Sequence, residues 1–472
     1  MDAPLYASRK KVYTKDVHGG LRSIKWAVLA ICLAIYYTLP WLRWDRGAGV
    51  PNQAILLDLW NERFYFFNVV LWPQNIWLLT IALILSAITL FWVSSVFGRL
   101  WCGYACPQTV WTDLYMAVER WVQGDRNARM KLDAAPWSLE KLWKKGATHI
   151  AWVVIAFWTG GAWVMYYVNA PVVVGEFWTG RATPDVYFMT ALFTATTYLL
   201  AGWAREQVCT YMCPWPRFQS AMQDEQTLMV TYNAQRGEPR GHGRRDGQTA
   251  LGDCVDCLAC VHVCPTGIDI RNGPQLECIN CGLCIDACNH VMERTGFKPW
   301  LIGWDTLARQ KARTEGVAPK WRPFRPRTYV YAAAFSVIAA VLVAGLATRS
   351  AFSFSAIHDR APMFVRLRDG GVRNAYTLKL ANRTMAPASF TLTVEAAEPM
   401  LMGLPEQNSV LSTVAHLSVP ASEVGTFRLT LQGRPSQAKE TVGLRLIKDG
   451  TGQQARYSAL FFSANPAEDR PQ

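Results

Sequence analysis

The sequence predicts a mixed membrane protein: about five transmembrane α-helices, a cysteine-rich domain between the fourth and fifth, and an all-β domain after the fifth. Three observations carry this. Five stretches are apolar and long enough to cross roughly 30 Å of hydrocarbon. All 13 cysteines lie at or before Cys288. Beyond residue 348 the pattern changes to short runs that alternate apolar and polar residues. The composition agrees: 51% of the 472 residues are hydrophobic and 18% charged, against about 25% charged in soluble domains. Eighteen of the 21 tryptophans precede residue 216, so the apolar excess is local. Such unevenness excludes one uniform globular domain, a disordered chain and a collagen-like repeat. The 184 cysteine-free residues at the end exclude a disulfide-stapled secreted protein.

The five stretches are 26–42, 76–97, 150–168, 186–204 and 328–348. The second carries no charge in the 22 residues from Ile76 to Phe97. The first is short and holds Pro40. Its basic flank (Arg22, Lys25) precedes no small-residue cleavage site, so it reads as an anchor rather than a signal peptide. Phe64–Trp72 is apolar but too short to span, and is expected at the membrane interface.

Loop charges set the orientation. The N-terminal segment carries Arg9, Lys10, Lys11, Lys15, Arg22 and Lys25. The loop after the second stretch carries Arg99, Arg120, Arg126, Arg129, Lys131, Lys141, Lys144 and Lys145, and the segment before the fifth ends in Lys320, Arg322, Arg325 and Arg327. The other two loops are near-neutral. The net charge of +13 therefore reflects cytoplasmic loops rather than a nucleic-acid partner. The expected layout is a 1–25 cytoplasmic tail, a 26–204 four-helix membrane domain, a 205–327 cytoplasmic domain, a 328–348 fifth helix and a 349–472 periplasmic domain, in a bacterial inner membrane.

The last domain reads as strands at Ala375–Ala381, Ser389–Val394, Val410–Val419, Thr426–Leu431, Val442–Ile447 and Ala455–Phe462, with turns such as Asp369-Gly-Gly371 and Asp449-Gly450 between them. Six or seven short antiparallel strands in this length predict an immunoglobulin-like sandwich. It has no cysteine pair to staple it.

The strongest chemical signal is Cys254-x2-Cys257-x2-Cys260-x3-Cys264-Pro265, followed by Cys278-x2-Cys281-x2-Cys284-x3-Cys288. Both halves match the spacing of bacterial two-[4Fe-4S] ferredoxins, in which the fourth cysteine of each half serves the other cluster. Cys254, Cys257, Cys260 and Cys288 are therefore assigned to one cluster, and Cys278, Cys281, Cys284 and Cys264 to the other. Structural zinc is the alternative, disfavoured by two complete runs. Asn289 follows the last cysteine where proline is usual. His262 and His290 lie among the ligands and read as surface residues.

A second motif is repeated: Trp101-Cys102-Gly-Tyr104-Ala-Cys106-Pro107 after the second stretch, and Val208-Cys209-Thr-Tyr211-Met-Cys213-Pro214 after the fourth. The membrane part thus resembles a tandem duplication. Pro107 opens a segment with apolar residues at Val110, Trp111, Leu114, Tyr115, Val118, Trp121 and Val122, a helical period. Proline favours a first helical turn, which puts Cys106 near the N-cap, where free N–H groups lower a thiol pKa. Cys213 is expected in the same position. Four activated thiols suit copper as Cu(I), or redox chemistry; the plain alternative is buried turn cysteines. Cys32 lies mid-span and reads as packing. His149 has no opposing histidine and no haem attachment motif beside it.

At residues 98–113, 205–219 and 264–278 the chain resembles the CcoG/FixG/RdxA family, accessory factors of cbb3-type cytochrome c oxidase. The likeness runs from about residue 10 to the C-terminus and rests on the cysteine motifs. It implies five spans, two [4Fe-4S] clusters, a periplasmic immunoglobulin-like domain, homodimers and a role in maturing the oxidase copper centre by reducing Cu(II) to Cu(I). On this reading a cytoplasmic donor supplies electrons, Cys102, Cys106, Cys209 and Cys213 hold the copper, and the partners are copper-handling proteins, the oxidase assembly machinery and membrane lipid. The alternatives are a polyferredoxin-type electron conduit to another respiratory acceptor and a non-catalytic assembly scaffold.

Overall fold

The structure, a computed structural model, describes residues 11–47, 49–242, 251–405, 410–435 and 437–463. Arg9 and Lys10 of the basic N-terminal segment lie outside these. The chain divides into two compact units. One runs to Ala344 and holds the apolar helices and the cysteine-rich domain; the other comprises residues 345 onward with 43–53 and 66–70.

Among the described residues five helices are long and apolar enough to cross a membrane: Gly20–Trp41, Pro73–Phe97, Leu139–Val164, Pro184–Ala204 and Pro326–Ala347. Their outward faces are apolar; in the fifth, Val330, Val337 and Val343 are 66%, 63% and 65% exposed. In water such a surface would be unstable, and lipid is the solvent that suits it. The first helix begins at Gly20 rather than residue 26. Asp286 of the cysteine-rich domain accepts the backbone N–H groups of Leu21 and Arg22 (3.4 and 2.8 Å) and caps it. Arg22 and Lys25 are buried in it against Asp113, at 2.8 and 3.7 Å. Burial pushes the Asp113 carboxyl up, but Lys25 and Arg22 outweigh it and hold it below the usual carboxylate range. The third helix begins at Leu139 rather than residue 150, capped by Ser138 Oγ, which accepts from Lys141 N. Hydropathy marks only its apolar part; the helix itself continues into the charged loop.

The third and fourth spans form a hairpin, and Tyr36 of the first donates to the Thr159 carbonyl of the third (2.8 Å). The second span stacks Phe91 on Trp215. The helix Pro107–Gln123 lies at the centre. Its buried Glu119 accepts from both Arg129 (3.0 Å) and Arg205 (2.9 Å). Phe64–Trp72, expected at the membrane interface, contributes to two short strands, Arg63–Phe66 and Val69–Leu71. The cysteine-rich domain is bracketed by strands Met229–Tyr232 and Ile302–Asp305, antiparallel with Val230 opposite Trp304.

Among the described residues the C-terminal unit is a sandwich of nine strands: β1 (Phe352–His358), β2 (Val365–Arg366), β3 (Val372–Asn382), β4 (Ala388–Glu395), β5 (Leu401–Gly403), β6 (Val414–Val419), β7 (Val424–Gly433), β8 (Lys439–Lys448) and β9 (Gln454–Phe462). One sheet runs β5-β7-β3-β1, with β2 on β3; the other runs β6-β4-β8-β9. The strands β2 and β5 escaped the sequence reading because they are two and three residues long; β1, which follows the fifth span closely, was also missed. Tyr376, Leu378, Leu380, Phe390, Leu392, Leu429, Leu431, Leu444, Leu446 and Phe461 fill the core. Polar clamps replace the missing disulfide. Tyr376 Oη donates across the sheets to Leu460 O (2.8 Å). Buried Asn382 donates to the carbonyls of Ala386, Val419 and Pro420 and accepts from Thr384. Asn382→Ala removes this donor from the three carbonyls, of which Ala386 O keeps Thr384 Oγ1, and is expected to cost about 1–3 kcal/mol. Hydrogen exchange on the full-length protein should quicken at the β3–β7 pair, and unchanged protection there would refute the clamp.

Candidate iron–sulfur and thiol centre

The cysteine loops are shaped by backbone conformations that side chains rarely adopt. Asp256, Leu258, Asn280 and Gly282 have φ of 52°, 59°, 55° and 74°. One falls in each Cys-x-x-Cys interval and bends the chain so that successive sulfurs face one side. For the three that are not glycine this costs on the order of 1–3 kcal/mol each. Arg271 clamps the first loop by bonding Asp256 and Asp269.

The result is two neighbouring cavities. Cys254, Cys257, Cys260 and Cys288 line one with Tyr232, Met292, Leu301 and Ile302. Cys264, Cys278, Cys281 and Cys284 line the other with Val230, Ile268 and Ile279, and Cys260 borders both. Each set takes three cysteines from one run and the fourth from the other. None of the eight is in a disulfide. Burial pushes Cys260 and Cys278 up to about 12 and Cys288 up to about 11, each further raised by other cysteines of the pair of sites.

These residues fit a four-iron cage. Each sulfur of such a cage binds a different iron, so the four must stand apart around an apolar hollow. A tetrahedral zinc ion would need its ligands to converge on one point. Among the described residues no group of three or more Cys, His, Asp or Glu does so, Cys102, Cys106, Cys209 and Cys213 included.

The repeated motif also assembles. The second span stops at Gly98, a short helix covers Leu100–Tyr104, and Cys106 is the N-cap of the helix that Pro107 opens. The fourth span ends in a π-helix (Tyr198–Ala204), breaks at Arg205 and resumes as a second π-helix over Val208–Met212. Gln108 Nε2 donates to the Leu200 and Arg205 carbonyls (2.9 and 3.2 Å) and ties the two breaks together. Cys102, Cys106, Cys209 and Cys213 thereby come close enough for their charges to act on one another. Cys102 Sγ donates to Gln219 Oε1 (3.2 Å).

Two expectations are corrected. Cys213 is not an N-cap; Pro214 is, of the eight-residue helix Trp215–Met222. Nor are Cys102, Cys106 and Cys209 activated. Burial raises Cys102, Cys106 and, to about 12, Cys209. At Cys106 the N–H groups of Thr109 and Gln108 do pull downward, but burial outweighs them.

This quartet touches the second cavity. A Cβ on Gly103 would sit 2.6 Å from Ile279 O and 3.0 Å from Cys281 Cα. Tyr104 Oη donates to Cys281 O (3.0 Å), and Arg99 Nη1 to the carbonyls of Leu276 and Cys278. The set Cys264, Cys278, Cys281 and Cys284 is therefore proximal to the quartet. The two motif copies differ here: Tyr104 is 8% exposed, its counterpart Tyr211 78%. Sequence reasoning did not single out Arg99, Gly103, Gln108 or Gln219. Gly103 was legible as the one position where the first copy has glycine and the second threonine.

Apolar spans, two cysteine cavities and an adjoining thiol site define a membrane-embedded iron–sulfur electron-transfer protein. Residues 204–307 match a family model for a 4Fe-4S dicluster domain, residues 79–127 one for a 4Fe-4S binding domain, and residues 342–464 one for the IG-like fold at the C-terminal of FixG. The nitrogen fixation protein FixG of Rhizobium meliloti is 43% identical over 97% of this chain and 94% of its own length. RdxB of Cereibacter sphaeroides is 44% identical over 97% of both chains, and RdxA of the same organism 42% over 96% of both. The chain belongs to the FixG/RdxA family.

The close approach at Gly103 is testable. Gly103→Val should push the Ile279–Cys281 loop away and expose Cys102, so that an alkylating reagent labels Cys102 at least about tenfold faster while bound iron is retained. Equal labelling rates would mean that the contact does not shield the thiol.

Proposed function

We propose that this protein reduces Cu(II) to Cu(I) at a membrane surface for the copper centre of a cbb3-type cytochrome c oxidase. The observation that supports it is the contact of Gly103 and Tyr104 with the Ile279–Cys281 backbone, which sets soft metal ligands against a cluster cavity. When bound, [4Fe-4S] clusters take up and release single electrons. Cys254, Cys257, Cys260 and Cys288 hold one, and Cys264, Cys278, Cys281 and Cys284 the other. Cys102, Cys106, Cys209 and Cys213 offer sulfur to the substrate ion. Soft thiolate ligands bind Cu(I) better than Cu(II), so the site favours the reduced product. Each ion requires one electron, supplied by a reduced cytoplasmic donor.

The excess of Lys and Arg in the N-terminal segment, the loop after the second span and the segment before the fifth supports a cytoplasmic cysteine-rich domain, a periplasmic sandwich and a bacterial inner membrane. A homodimer, copper-handling proteins and the oxidase assembly machinery complete the reading. Copper released on the cytoplasmic side needs a further carrier to reach the oxidase.

Changing both Cys106 and Cys213 to serine is expected to abolish copper reduction, followed with a Cu(I)-specific chelator, while iron and sulfide content stay unchanged. Reduction at the wild-type rate would sink the copper reading and favour an electron conduit to another acceptor. Cu(I) affinity should also depend on pH. Burial raises Cys102, Cys106 and, to about 12, Cys209, so near neutrality the ion must displace protons. Affinity is then expected to rise between about pH 6 and 9, by about tenfold per unit for each proton released. A flat competition titration would show that copper binds elsewhere.

A further inference from the structure

Arg99 differs from the other buried arginines of the membrane unit. Arg22 is paired with Asp113, and Arg129 and Arg205 with Glu119. Arg99 is 5% exposed. Its Nη1 donates to the carbonyls of Leu276 and Cys278, and its Nε is buried without a hydrogen-bond partner. Among the described residues it makes no ion pair with a carboxylate. A buried guanidinium in that position is unfavourable unless other negative charge lies close by.

Thiolate sulfur of the proximal site supplies such charge once iron is bound there. Arg99 spans the junction between the thiol quartet and the proximal cavity, and it bonds the backbone of Cys278, itself one of the cavity's four cysteines. Its charge bears on the sulfurs of Cys102, Cys106, Cys209 and Cys278, favouring the thiolate at each. A cage held by four thiolates is anionic, and its reduced state carries one more negative charge. A fixed cation favours the more negative member of any couple beside it.

We infer that Arg99 is the counter-ion of the proximal iron–sulfur site and raises its reduction potential. It is a positioning residue that works through charge, without touching substrate. The sign is the same at the thiol quartet, where a fixed cation repels Cu(II) more than Cu(I); that half alone rests on the copper reading.

The test uses two variants of the full-length protein, purified anaerobically in detergent and titrated by electron paramagnetic resonance without copper. Arg99→Gln keeps hydrogen-bond donors and loses the charge; Arg99→Lys keeps the charge. With iron and sulfide intact, Arg99→Gln is expected to disfavour reduction of one of the two clusters about tenfold, which is about 59 mV more negative for a one-electron couple. Arg99→Lys is expected within about twofold of wild type, or ~18 mV. Unchanged potentials in Arg99→Gln, or an equal shift in Arg99→Lys, would overturn the inference. Should Arg99→Gln fail to retain iron, Arg99→Lys decides: a wild-type potential supports the role of charge, and a tenfold displacement refutes it. Because copper is absent, failure here leaves the proposed reaction untouched, and the reverse also holds.

Discussion

Two backbones touching at Gly103 hold the working part of this molecule together. A side chain there would collide with the Ile279 carbonyl, so the motif after the second span lies directly against the loop that enters the proximal cavity. The other contacts at this seam depend on that approach. Tyr104 reaches the Cys281 carbonyl, Arg99 reaches the Cys278 carbonyl, and Cys102 joins an apolar cluster with Val263, Ile279, Cys281, Leu283 and Ala287. Without it there would be a thiol site and an iron–sulfur domain on one chain, but no shared wall between them.

Much of this was legible in the sequence because the signals are periodic or covalent in origin. Uninterrupted apolar runs mark the spans, alternation marks the longer sandwich strands, and the cysteine spacing carries the pairing of three residues with a fourth from the other run. The ends of the helices were less legible. The first helix owes its start to Asp286, more than 260 positions away along the chain, and no local signal reveals such a cap. The thiol acidity was misjudged for a related reason. A proline after Cys106 does place it at a helix N-terminus, but burial is a property of the assembled fold and outweighs the local N–H groups.

The duplicated motif shows how a repeat can keep its chemistry and divide its structural duties. Both copies supply two cysteines and a proline. The first docks: Gly103 and Tyr104 are buried at the seam. In the second, threonine stands where glycine would be and Tyr211 faces outward. That copy breaks its span with π-helical turns instead, a distortion common at functional sites. Gln108 joins the two by bonding the Leu200 and Arg205 carbonyls at that break.

The Asp286 cap on the first span also bears on biogenesis. A ribosome releases that span long before it has made its cap, so the helix is born with unsatisfied N–H groups at its start. Until the helix carrying Cys284 and Cys288 has been made, water must serve those groups. Folding of the cysteine-rich domain thus completes the cap of the oldest membrane segment.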